Sequence, residues 1–233
     1  MAVNYGNLKK SETELIQKFY EYLDHTYQMH RTVLKALEEF QNPQQLKTEI
    51  QKIYELEKIS NITQADLLDE CTWIISKDQP RASHLRFVIA IINSINDLER
   101  ICDYANNIAK FLERSTNSLD PGAIELVKEL ESIAVDSYHK IFNHFREHDA
   151  NETYKYAEEL QETFSTAYIE KFKEIRSTYI KNAVNMTDDE SKFFVNLILA
   201  FKNVERILDH VTNIIEYFIY IKESNFFFKK RNY

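Results

Sequence analysis

Two stretches decide the fold: Asp97-Leu98-Glu99-Arg100-Ile101-Cys102-Asp103-Tyr104-Ala105-Asn106-Asn107-Ile108, and Asn203-Val204-Glu205-Arg206-Ile207-Leu208-Asp209-His210-Val211-Thr212-Asn213-Ile214. At a constant separation of 106 residues, six of the twelve positions are identical: Glu, Arg, Ile, Asp, Asn and Ile. The lead-in repeats as well, with Val88, Ile92 and Ile95 answered by Phe194, Ile198 and Phe201. Apolar residues at these spacings mark one face of a helix, and self-similarity at a fixed offset marks a duplicated unit.

Outward from these stretches, the punctuation yields three helices per half. Pro43 separates a first helix from a second, and Asp78-Gln79-Pro80 ends the second, because proline disfavours the helical conformation of its predecessor. Pro121-Gly122 follows a polar joint near the midpoint, and His148-Asp149-Ala150-Asn151 breaks the second half after about Phe145. Ser11-x-x-Glu14 and Thr187-x-x-Glu190 both fit the capping box, placing helix starts at residues 12 and 188. The expectation is an all-α chain of two tandem antiparallel three-helix bundles, residues 1–118 and 119–233.

Composition agrees. The chain of 233 residues holds 2 Gly and 3 Pro, too few to supply the turns of a β-rich fold or a glycine-rich phosphate loop. With 29 basic against 37 acidic residues the net charge is −8, which disfavours nucleic acid as a partner. No apolar run reaches the length of a membrane span. The first residues have no apolar leader core, and Cys71 and Cys102 form no disulfide or zinc pattern, so a reducing, cytoplasmic setting is expected.

Glu99, Asp103 and Asn107, spaced i, i+4, i+8, form one stripe on a helix; Glu205, Asp209 and Asn213 form its counterpart. Each continues a face that is apolar one to three turns earlier, so the stripes are expected to face the core. Carboxylates so placed call for cations. Arg100 and Arg206 are one source, giving a metal-free scaffold. A metal ion is the other, since carboxylate and amide oxygens suit Fe, Mn, Zn, Mg or Ca. A metal-dependent enzyme is a third reading, although no His has a Glu three residues before it, as a ferritin-like di-iron site requires. His139, His144 and His148 are read as lining a solvated helix side, and His25 and His30 as carrying no message of their own. The terminal Phe226-Phe227-Phe228-Lys229-Lys230-Arg231 either caps the bundle or docks on a partner or anionic surface.

Gln79-Pro80-Arg81-Ala82-Ser83-His84-Leu85-Arg86, with the segment Asp97 to Ile108 and its repeat, resembles the PhoU family signature. The chain departs from it at Cys102 and Leu208, where the family carries Gly, and at His84, commonly Asp. The resemblance implies a PhoU-like six-helix architecture and a cytoplasmic accessory protein of phosphate transport, a negative regulator of the phosphate-starvation response. It implies as partners a sensor histidine kinase and the ATPase subunit of a phosphate ABC transporter, with membrane association only through them. It also implies a homodimer, no catalytic residues, and metal (iron, zinc or manganese) at the ExxxD motifs. A further contribution from the second helix then falls to Glu57 and Asn61. In the second half Glu162 is nearest by spacing, with Glu159 and Glu170 as rivals.

Overall fold

The structure, a computed structural model, describes residues 5–115, 120–179 and 186–222. These form six helices and no strand: α1 (Tyr5–Glu38), α2 (Pro43–Asp78), α3 (Ser83–Arg114), α4 (Pro121–Glu147), α5 (Ala150–Tyr179) and α6 (Asp188–Lys222). The tail from Phe226 to Arg231 lies outside the described residues, as does the joint at 116–119.

Local chemistry sets most of the ends. The Asn42 side chain caps α2, accepting from the Gln45 amide, with Pro43 in the first turn where its missing N–H costs nothing. Asp120 caps α4 through the Gly122 amide at 2.8 Å, again with proline following. At α6 the capping box forms as expected: Thr187 donates its amide to Glu190 Oε2 at 2.8 Å, and the Glu190 amide donates to Thr187 Oγ1 at 3.3 Å. The other expected box does not form. Helix α1 starts by Tyr5, and Ser11 lies inside it, its hydroxyl donating to Asp78 Oδ2 at the end of α2 at 2.8 Å.

The α2–α3 turn is the strained part of the backbone. Gln79 (φ 48°) and Ala82 (φ 51°) both adopt positive φ without being glycine. They are two positions of the Gln-Pro-x-Ala run.

Helices α1–α3 pack on one another, as do α4–α6, and the most extensive contact between the halves is α3 against α6, with α1 against α4 beside it. A single apolar cluster runs through all six helices. The packing preserves the duplication, but with a different offset for each helix. Ile50, Ile53, Ser60 and Cys71 of α2 are buried, and so are Tyr154, Ala157, Phe164 and Ile175 of α5, each 104 residues later. Between α1 and α4 the offset is 108, pairing Leu23 with Glu131 and His30 with Tyr138.

These offsets expose a pseudo-two-fold axis. His30 of α1 bonds to Glu131 of α4 at 2.5 Å, and the Tyr138 hydroxyl of α4 donates to the Leu23 carbonyl of α1 at 2.9 Å. Exchanging repeat mates turns one contact into the other. On the axis, Tyr104 of α3 meets its own repeat mate, His210 of α6, at 2.8 Å. The far ring nitrogen of His210 reaches Asp97 Oδ1 at 2.6 Å.

The His30–Glu131 pair is fully internal, at 3% and 0% exposure. The Nε2 of His30 donates to the Ile101 carbonyl at 2.8 Å, which leaves Nδ1 to face the carboxyl. Burial works against charge on this imidazole, but Glu131 and the Ile101 carbonyl outweigh it and leave its pKa raised. The sequence reading passed over His30; it joins three helices.

Candidate functional site

The acidic stripes do not face the core. On α3 the core line is Leu98, Ile101, Cys102, Ala105 and Ile108, while Glu99 and Asp103 are half-buried and Asn107 is exposed. On α6, Glu205 and Asn213 are half-buried and Asp209 is exposed. Each stripe is rotated off the core line, and its acids meet the helix that precedes it: Asp103 reaches Glu57 of α2, and Asp209 reaches Gln161 of α5. The residues at the two sites where the family carries Gly fit without opening the bundle. Cys102 and Leu208 are both buried, and the Cys102 thiol points to Thr26 Oγ1 at 3.4 Å. Burial pushes that thiol up to about 12, so it stays protonated.

In the first half, Glu57 is the buried member, and its carboxyl lies within hydrogen-bonding reach of Asp103. Asn61, one turn on, offers its amide to Glu57 Oε1 at a long 3.5 Å. Glu57 Oε2 is buried and receives no hydrogen bond. Burial, then the Asp103 and Glu99 carboxylates, raise Glu57 to about 7. Glu99 is raised too, by burial and by Asp103, with Arg100 acting weakly against them. Among the described residues none of these three acids is in an ion pair. Two carboxyls in contact need a shared proton or a cation between them.

The second half has the same frame with different chemistry. Gln161 stands where repeat symmetry places Glu57, and its amide donates to Asp209 Oδ1 at 2.8 Å. Its carbonyl oxygen accepts from Thr212 at 3.1 Å, so the amide is held in orientation. Lys202 pairs with Glu205 one turn before. Asp209 is still raised by burial and by Glu205, while Arg206, Gln161 and His210 oppose the shift. Glu162, Glu159 and Glu170 are all exposed, on other sides of α5. The second-helix residue of this half is Gln161, which sequence spacing missed.

The two grooves differ as cation sites. The first has an orphaned buried carboxylate oxygen and two further acids, oxygen donors of the kind that divalent metals take, beside an Asn61 amide that would turn its own oxygen inward by a flip. Those residues fit a metal. Glu99 stands off from the Glu57–Asp103 pair: among the described residues, the set of three His, Cys, Asp or Glu side chains whose donor atoms all lie within 4.8 Å of one another is elsewhere, at His144, His148 and Glu152. The second groove is already satisfied by Lys202 and Gln161 and fits a metal poorly.

A duplicated six-helix bundle, with an acid-lined groove between the second and third helix of each half, is thus the class of protein defined by fold and site. Comparison with known proteins makes it specific. The PhoU domain family is matched over residues 19–112. Similar chains include the uncharacterized protein MG409 of Mycoplasma genitalium, 34% identical over 97% of this chain and 98% of that one. A phosphate-specific transport system accessory protein PhoU homologue from Burkholderia sp is 30% identical over 73% of this chain and 72% of its own. The crystal structure of PhoU from Pseudomonas aeruginosa superposes with a TM-score of 0.79 at 22% identity, over 93% of this chain and 99% of that chain. The chain belongs to the PhoU family. Among the described residues no helix is long and apolar enough to cross a membrane.

Proposed function

We propose that this chain is a regulatory adaptor of phosphate transport and phosphate-starvation signalling, working by docking rather than by turnover. The observation that carries the reading is the relation to the Burkholderia accessory protein. It extends over 180 aligned residues, more than either half of this chain contains, so both bundles take part. The partners in this reading are a sensor histidine kinase and the ATPase subunit of a phosphate ABC transporter at the cytoplasmic face of the membrane, with the adaptor as a homodimer.

The cation in this reading sits in the first groove, held by Glu57 and Asp103, with Glu99 swinging in from where it stands off and Asn61 and Asn107 on the same two helices. Iron, zinc or manganese would replace the proton between Glu57 and Asp103 and lock α2 to α3. Glu205, Asp209 and Asn213 form the weaker site, because a cation there has to displace Lys202 and Gln161. The cation's role is to hold a docking surface in shape.

Affinity capture of the tagged chain from phosphate-replete and phosphate-starved cells, followed by mass spectrometry, tests the adaptor reading. Recovery of the transporter ATPase or the kinase in a phosphate-dependent manner is the expected result. Recovery of neither under both conditions overturns it.

A further inference from the structure

The turn between α4 and α5 brings together two histidines and a glutamate that neither groove uses. His144 and His148 lie one helical turn apart at the end of α4, their rings stacked at a centroid separation of 3.9 Å and an interplanar angle of 20°. Glu152 lies in the first turn of α5, and the donor atoms of all three are within 4.8 Å of one another. From this geometry we infer a second, chemically distinct cation site that binds a divalent transition metal of the zinc, nickel or copper kind through His144, His148 and Glu152.

Distance supports this. His148 Nδ1 stands 3.4 Å from Glu152 Oε1, too far for a good hydrogen bond. It matches the separation of about 3.3 Å between two ligands on a tetrahedral zinc with bonds of about 2.0–2.1 Å. Rotation of the two exposed side chains, which unstacks His148 from His144, brings the third donor in.

His144 is held ready from its far side. Its Nδ1 lies 3.1 Å from the hydroxyl of Thr153, a residue with 0% exposure. Donation from Nδ1–H to that oxygen leaves the Nε2 lone pair free, as in metal-bound histidines whose second nitrogen is anchored to the protein. The ring also stacks on Tyr156 at 4.8 Å, which helps hold it in place. Glu152 is positioned by the turn itself, where Asp149 Oδ1 accepts from the Asn151 and Glu152 amides at 2.9 and 3.0 Å.

Donor chemistry separates this site from the α2–α3 groove. Two imidazoles and one carboxylate select borderline transition metals, whereas magnesium and calcium take all-oxygen sets. A bound ion bridges the end of α4 and the start of α5 and so pins the turn. The inference does not rest on the phosphate-transport reading and would survive its failure.

The test is calorimetric titration of tag-free, chelator-stripped full-length protein with Zn²⁺, in the wild type and in His148→Ala, Glu152→Gln and Thr153→Val. Each is run in a Glu57→Gln/Asp103→Asn background so that the α2–α3 groove is silent. The background protein is expected to bind one zinc that excess Mg²⁺ does not displace. His148→Ala should lose the heat of that site, and Thr153→Val should weaken it by about 10- to 100-fold. Circular dichroism is expected to be unchanged in His148→Ala, whose side chain is exposed. Identical zinc binding in the background protein and in its His148→Ala variant, or displacement by Mg²⁺, overturns the site.

Discussion

The two grooves of this molecule share a backbone and differ in how they neutralise charge. In the first, Glu57 presses against Asp103 with Glu99 nearby, and no lysine or arginine of the described residues pairs with them. In the second, a glutamine replaces the glutamate, donates to Asp209, and Lys202 covers Glu205. The two frames are related by the repeat, and the amide of Gln161 where the other half has a carboxylate, together with Lys202, closes the second into a polar network. The PhoU domain match at residues 19–112 falls in the half with the Glu57–Asp103 pair. In the proposed reading the first groove takes an exchangeable cation or proton, and the second is a structural seam.

Metal binding gives the largest separation between the halves. Glu57→Gln/Asp103→Asn should weaken Mn²⁺ or Zn²⁺ binding at the first groove by about a hundredfold, equivalent to about 2.8 kcal/mol. Glu205→Gln/Asp209→Asn should change total binding less than about tenfold. Metal analysis after equilibrium dialysis, with His148→Ala in both proteins to silence the α4–α5 turn, measures this. Equal losses in the two variants would abolish the distinction drawn here.

The next effect is a pH dependence of the metal-free protein. Glu57 is raised to about 7 in the folded chain from an ordinary value of 4.5. Between those two values the folded state keeps a proton that the unfolded chain has released. Stability from this group is therefore full below about pH 4.5 and falls as pH rises through about 7. After allowance for the solvent that reaches the groove, the loss is about 2 kcal/mol. Urea unfolding at pH 5 and pH 8 should show it, superimposed on the chain's other titrations, and Glu57→Gln should remove that part. Saturating Mn²⁺ should also remove it, because a cation then replaces the proton.

How much of this could be read from the sequence follows from how local each signal is. The breaks at Pro43 and Pro121 and the Thr187-x-x-Glu190 box were legible because each signal lies within one turn, although the caps at Asn42 and Asp120 were not read. The Ser11 box has the same letters, but α1 had already begun by Tyr5, and the hydroxyl serves Asp78 across the bundle instead. The ExxxD stripes were legible because α3 and α6 keep one offset of 106 residues. Gln161 was not, because α2 and α5 are related by 104; an offset of 106 from Glu57 points to Thr163, beside which Glu162 is the nearest acid. The stripes' orientation was misjudged because Ile92, Phe194 and Ile198, taken as core, are themselves half-buried. His30 and Glu131 are 101 residues apart, and nothing local announces their contact.

A smaller effect comes from remaking the lost carboxylate. Gln161→Glu removes the hydrogen bond to Asp209 and sets two acids together, as in the first half. The metal-free variant should be destabilised by about 1 kcal/mol at pH 8 and recover at pH 5. It should also gain Mn²⁺-dependent stabilisation that the wild-type second groove lacks. Thermal melts at both pH values, with and without Mn²⁺, read all three changes. A variant that melts like the wild type in every condition would mean that Gln161 is not what separates the halves.

Lys202 gives the smallest effect and the sharpest control. Its side chain is 51% exposed and that of Glu205 is 29% exposed, so the pair sits in solvent where ion pairs contribute little. Lys202→Ala should cost less than about 0.5 kcal/mol in a urea melt. If Gln161 is the residue that closes the second groove, removing Lys202 alone should also leave that groove unable to bind Mn²⁺, since Asp209 keeps its amide donor. Combined with Gln161→Glu, the same substitution should strengthen the new cation site by freeing Glu205. Cation binding by Lys202→Ala alone would move the cause of the asymmetry from the α5 amide to the lysine on α6.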